Sequence, residues 1–101
     1  MTDYQITKAF KIAKHYGLKS QKRQALQEFN ELCGVLLRRK DQINSKAEYK
    51  NDLIDEIADC YIMLQQLITL YKLHPSKVSE RISFKLNRQL ERIANEQEVA
   101  K

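Results

Sequence analysis

Apolar positions recur along the chain at i, i+3, i+4 and i+7, which predicts helices from end to end. A first helix is expected over Tyr4 to Tyr16, with Ile6, Phe10, Ile12 and Ala13 on its apolar side and Gly17 as a left-handed stop. Ser20 is placed to cap a second helix from about Gln21 to Arg39, whose stripe reads Ala25, Leu26, Phe29, Leu32, Cys33, Leu36 and Leu37. The run Arg38-Arg39-Lys40 suits the negative end of that helix. After a loop over Asp41 to Ser45, the run Ser45-Lys46-Ala47-Glu48 reads as a capping box opening a third helix that extends to about Leu73. Leu53, Ile57, Tyr61, Leu64 and Ile68 form its main stripe, but beyond Asp59 it is apolar nearly all round. That predicts burial, either centrally or against another subunit, with Met63, Leu67 and Leu70 near the interface. His74-Pro75 breaks the chain, and a fourth helix is expected from Ser76 to about Glu96 with Val78, Ile82, Leu86, Leu90 and Ile93 facing inward. The tail Gln97 to Lys101 is expected to fray. No repeat or linker divides the pattern, so it reads as one all-α domain over residues 1–101, with its core in 4–96.

Composition agrees with that outline. Hydrophobic residues make up 43% and charged residues 31%, a globular balance, and two glycines and one proline are too few for a turn-rich β architecture. No secretory leader pattern opens the sequence. The longest apolar run, Cys60 to Leu73, is interrupted by Gln65, Gln66, Thr69 and Lys72, and falls short of the ~20 residues that span a bilayer. A cytoplasmic protein without membrane association is therefore expected. Cys33 and Cys60, lacking CxxC or Cys/His spacing, read as buried reduced thiols. A net charge of +5 despite a dense acidic segment points to an anionic partner.

That acidic segment is Asp52-Leu53-Ile54-Asp55-Glu56-Ile57-Ala58-Asp59. On a helix its four carboxylates share one side, and so much like charge destabilises a helix unless something positive lies against it. Upstream, Glu28 and Glu31 stand three apart, at nearly the same angular offset from their stripe as Glu56 and Asp59 from theirs. If the two helices pack antiparallel, two acidic pairs converge from rigid rods. Left alone they repel, and one is driven to hold a proton. With Mg²⁺ between them they form an oxygen cage with room for water and phosphate oxygens. Arg81, Lys85, Arg88 and Arg92 line the fourth helix as a basic stripe suited to the outer phosphates of a nucleotide.

These residues resemble a known family, the MazG-like all-α nucleoside triphosphate pyrophosphohydrolases, and among them the short phage-type members. The resemblance runs from about Tyr16 to Ile93. It rests on Tyr16-Gly17, Gln21, Gln27-Glu28-Phe29-Asn30-Glu31-Leu32, Asp55-Glu56-Ile57-Ala58-Asp59, Ile62-Met63-Leu64 and Lys85-Leu86-Asn87-Arg88-Gln89-Leu90-Glu91-Arg92-Ile93. It implies a four-helix bundle-like fold that assembles as a homodimer or homotetramer. It also implies Mg²⁺-dependent conversion of an NTP or dNTP to the monophosphate and pyrophosphate, with Mn²⁺ as a possible substitute. By the same resemblance the metal ligands are Glu28, Glu31, Glu56 and Asp59. Glu31 or Glu56 orients or deprotonates the attacking water, and Lys85, Asn87 and Arg88 contact phosphates. The chain departs from the family's E-E-x-x-E motif at its first acid, where Gln27 stands. That removes one charge, and with it a second metal ion or the group that activates water.

Two rival functions belong beside this one. The first is a nucleotide-binding or sensing module whose hydrolysis is weakened by Gln27. The second is a small basic helical protein binding nucleic acid through Arg81, Lys85, Arg88 and Arg92. Against the latter, the sequence shows no recognition-helix turn, aromatic platform or zinc module.

Overall fold

The chain is described over Met1–Ala100 by a computed structural model, and every regular element in it is helical. Three α-helices, α1 (Asp3–Leu36), α2 (Lys46–Leu70) and α3 (Pro75–Ala100), follow one another, with a 3-10 turn at Lys40–Gln42 between the first two. Helix α1 starts on a capping box that the sequence carries as Thr2-Asp3-Tyr4-Gln5. The Thr2 hydroxyl accepts from the Gln5 N–H at 3.1 Å, and the Gln5 side chain accepts from the Thr2 N–H at 2.8 Å.

Gly17 interrupts α1 with φ +84° and ψ 170°, a conformation open to glycine alone. The expected break is therefore present, but the expected loop over residues 18–20 is not, because the helix resumes at once. The break reverses the chain. In the arm after Gly17, rising residue numbers meet falling ones on α2: Gln21 bonds Gln66, the Glu28 carbonyl meets Cys60, and the Val35 carbonyl meets Tyr49. That arm is antiparallel to α2. In the arm before Gly17, Met1 and Gln5 share a groove with Ala58, Tyr61 and Ile62, while Ala9 lies against Gln66. That arm runs parallel to α2. Three helical segments thus pack together, with α2 between the arms of α1.

Ser45 caps α2 by accepting from the Glu48 N–H at 3.0 Å. Its far end closes as a Schellman motif, in which the Leu73 N–H donates to the Ile68 carbonyl and the Lys72 N–H to the Thr69 carbonyl. Lys72 occupies the left-handed position, at φ 55°, where glycine is the usual residue. The helix ends at Leu70, earlier than the expected Leu73. Pro75 then opens α3, a favoured first position because it needs no N–H partner. Helix α3 continues through the expected frayed tail to Ala100, and Lys101 lies outside the described residues.

The face that packs is not the one the largest apolar side chains mark out. Ala9, Ala13, Ala25, Val35, Cys60 and Met63 form the core, joined by Gln21 and Gln66. Leu26, Leu36 and Leu37 of the expected α1 stripe are exposed, as are Ile57, Tyr61 and Leu64 of the expected α2 stripe. Small residues at the contact let the helices approach closely, which leaves the bulky side chains on the flanks. Met63, expected at a subunit interface, is buried within the chain instead, and Cys33, expected buried, is exposed.

No residue of α3 is buried, so Val78, Ile82, Leu86, Leu90 and Ile93 do not face inward within this chain. Helix α3 projects from the packed segments. The radius of gyration is 17.7 Å, against about 13 Å for a compact chain of this length. The accessible surface is 8533 Å², against about 5,900 Å² for a compact monomer of 11.9 kDa. Among the described residues, no helix is long and apolar enough to cross a membrane.

Candidate metal centre

The antiparallel pairing of the second α1 arm with α2 carries a consequence for charge. Along the second arm of α1 a buried or half-buried series runs Gln21, Ala25, Glu28, Leu32 and Val35; along α2 one runs Asp52, Glu56, Asp59, Met63 and Gln66, and Gln21 meets Gln66 across the contact. Both series follow the seven-residue spacing of helices in close contact. Acidic residues fall on that seam in both helices, and at the same level.

Glu28, Glu31 and Glu56 each bring a carboxylate oxygen within 4.8 Å of the others. Glu28 and Glu56 are half-buried and Glu31 is exposed, so the cluster opens to solvent on the Glu31 side. One oxygen of Glu28 accepts from Gln24 Nε2 at 2.7 Å. Its other oxygen, Oε2, is buried without a hydrogen-bond partner, and so is Oε2 of Glu56. Two orphaned carboxylate oxygens in one cluster are rare, because leaving such an atom unsatisfied costs its desolvation free energy.

Burial pushes the Glu28 carboxyl above its ordinary value of 4.5. The hydrogen bond from Gln24 opposes that shift, and the charges of Asp59 and Glu31 add to it. Burial likewise raises Glu56, with Glu31 and Asp59 adding repulsion. The thiol of Cys60, which donates to the Glu28 carbonyl at 3.7 Å, is also pushed up by burial and then by Glu56, Glu28 and Asp59. These are the signs of negative charge gathered without compensation.

A hard divalent cation fits that environment. The donors are all carboxylate oxygens, two of them lack any other partner, and one side is open for water. Of the four carboxylates expected to ligate a metal, Glu28, Glu31 and Glu56 converge. Asp59 lies beside Glu28, close enough to raise its pKa, but outside the trio of converging oxygens. The rest of the acidic segment disperses. Asp52 takes the Arg38 guanidinium at 2.6 Å, and Asp55 is exposed. Arg38 therefore ties the two helices together rather than closing its own.

Gln27 donates to Glu31 Oε1 at 3.4 Å. Lys85, Asn87 and Arg88 are exposed on α3 and are not brought to the cluster within one chain. The Arg88 guanidinium lies instead 5.8 Å from the Phe84 ring, which also takes Arg81 at 4.8 Å. One polar feature escaped the sequence reading: the buried pair Gln21 and Gln66. Its signal was present, since Gln21 stands seven residues from Glu28 and Gln66 seven residues from Asp59, the acid beside Glu28. No family model matches the chain, and no curated protein or solved structure matches it.

Proposed function

We propose that this chain is a Mg²⁺-dependent nucleoside triphosphate pyrophosphohydrolase of the MazG-like kind. The observation that carries the proposal is the convergence of Glu28, Glu31 and Glu56 from two packed helices, with two of their oxygens buried and unpartnered. Together with Asp59 these are the residues that would hold the ion. Bound there, Mg²⁺ would neutralise triphosphate charge and lower the pKa of a water molecule. Mn²⁺ meets the same oxygen-donor requirement.

The chain's own groups supply the rest. Glu56, whose proton affinity burial raises, and Glu31, on the open side of the cluster, are placed to take a proton from the attacking water. The water oxygen forms a bond to the α-phosphorus, and the bond from that phosphorus to the α–β bridging oxygen breaks. Pyrophosphate leaves with the electron pair, and the water proton passes to the carboxylate. Lys85, Asn87 and Arg88 are assigned to the departing phosphates.

Those three residues sit on a helix with no packing partner among the described residues. Assembly as a homodimer or homotetramer resolves this, because it covers the apolar stripe of α3 and completes a four-helix bundle. The surface in excess of a compact monomer is about 2,600 Å² per chain, and obligate homodimers commonly bury 2,000–5,000 Å² in total.

One observation favours a second reading. The Gln27 amide sits against Glu31, one of the two carboxylates assigned to the water. A binding module without turnover would show nucleotide-dependent thermal stabilisation and no pyrophosphate release. Hydrolysis is tested with Glu56→Ala and Asp59→Ala. Both should abolish turnover with the helical signal intact, and turnover surviving both changes contradicts the site.

A further inference from the structure

The carboxylate cluster has a polar layer above it that the chemistry does not use. Gln21 lies seven residues before Glu28, and Gln66 seven residues after Asp59, so the two glutamines face each other two helical turns, ~10 Å, from the cluster. Gln66 is 1% exposed and is the largest fully buried side chain; Gln21 is buried beside it. Gln21 Nε2 donates to Gln66 Oε1 at 2.7 Å, and Gln66 Nε2 donates to the Ala9 carbonyl at 3.3 Å. One amide on α2 therefore grips both arms of α1, on either side of the Gly17 reversal.

The core residues of α1 toward that end are Ala9, Ala13 and Ala25, small side chains that interlock weakly, with Met63 one turn from Gln66 on α2. A polar pair in such a contact has one best register, whereas apolar neighbours tolerate sliding. The opposite end, at the loop, is pinned separately by Arg38 with Asp52 and by the Tyr49 hydroxyl donating to the Val35 carbonyl at 3.1 Å. Neither of those contacts reaches the first arm of α1. The carboxylates lie midway between the two pins, and the upper pin rests on Gln66.

We propose that Gln66, with Gln21 as its partner, is a positioning residue for the carboxylate site, holding α1 and α2 at the spacing and register that bring Glu28 and Glu31 against Glu56. The proposal rests on the metal-binding reading of those carboxylates. Stability and positioning separate here, because replacing both partners of a buried hydrogen bond by apolar groups of similar shape is near neutral or stabilising. Gln66→Leu alone strands the Gln21 amide and is expected to lower the melting temperature. Gln21→Leu with Gln66→Leu is not.

The experiment compares the full-length wild type with that double variant by thermal melting, by calorimetric titration with Mn²⁺, and by nuclear Overhauser contacts between the Cys60 side chain and the Glu28 backbone. The double variant should melt at or above the wild-type temperature. It should bind Mn²⁺ at least about ten-fold more weakly, the scale of an outer-shell loss, and weaken the Cys60–Glu28 contacts. Unchanged Mn²⁺ binding with intact contacts overturns the proposal. So does a fall in melting temperature that matches the loss of binding, since that is a structural role only. A wild type that binds no Mn²⁺ overturns the metal reading instead, and the Cys60–Glu28 contacts then decide the positioning role alone.

Discussion

Helix α3 has 26 residues, an apolar stripe and, among the described residues, no packing partner, which makes its surface the most direct place to test the proposed assembly. Leu86 and Leu90 are 55% and 64% exposed there. If α3 stood free, replacing both with Glu would change stability by less than about 0.5 kcal/mol each, as surface substitutions do. If the stripe is covered by a second copy, each leucine transfers its exposed portion out of water on assembly. Full burial of a leucine contributes about 1.5–3 kcal/mol, so these fractions amount to roughly 1–2 kcal/mol each. Both together contribute roughly 2–4 kcal/mol per chain, hence about 4–8 kcal/mol per dimer, or roughly a thousand- to several-hundred-thousand-fold change in the association constant. A second consequence follows for α3 itself. An isolated helix is marginal in water, and the Lys77–Glu80 pair at 3.8 Å, well exposed, contributes little. The three helices have 34, 25 and 26 residues, so a melted α3 removes roughly three tenths of the α-helical signal. Light scattering over a concentration series, with circular dichroism at each point, reads both effects. The wild type should run at two or more times 11.9 kDa, and Leu86→Glu with Leu90→Glu should shift it to 11.9 kDa with partial loss of helix. A wild type at 11.9 kDa at every concentration, with full helicity, would refute the reasoning.

Three further outcomes are expected. Glu28 and Glu56 are raised above 4.5, so the folded state holds more protons than the unfolded one between 4.5 and the raised values. The metal-free protein should therefore melt higher as pH falls from neutral toward 4.5, and lower as pH rises. Added Mg²⁺ needs those protons gone and should stabilise most at the alkaline side, by about 2.7 kcal/mol at a hundred times its Kd. Glu28→Gln with Glu56→Gln should erase both trends, and identical pH profiles for variant and wild type would count against the cluster. Lys72→Gly relieves a left-handed non-glycine residue and should raise the melting temperature, by ~4–8 °C for each kcal/mol gained of the ~1 available. Gly17→Ala meets no atom within 4 Å, so its loss, about 1–3 kcal/mol, should come from the backbone alone and appear as a lower melting midpoint in urea.

The all-helical class and the places where the chain breaks were legible because caps and breakers act locally, although three helices stand where four were expected. Gly17 marks a reversal inside α1 through its backbone conformation, and Ser45 and Pro75 mark helix starts through the backbone's own hydrogen-bonding needs. The convergence of Glu28 and Glu31 with Glu56 was legible for a related reason, since three-residue spacing and a shared phase hold wherever the helices pack. What failed was the choice of inner face. Periodicity ranks side chains by size and apolarity, and it favoured Leu26, Leu36, Tyr61 and Leu64. Close helix contacts instead select small residues, and here they also admit a glutamine pair bonded across the seam and glutamates, two of whose oxygens find no partner. The environment of α3 was not legible either, because an amphipathic helix signals only that its apolar face needs covering.

The measurement closest to the central claim is pyrophosphate release from a panel of NTPs and dNTPs, with and without Mg²⁺, alongside Glu56→Ala. The account predicts release that requires the metal, favours some nucleotides over others, and disappears in the variant. No release from any nucleotide, with Mg²⁺ binding intact, would contradict hydrolysis, and Gln27→Glu would then be the substitution to restore it.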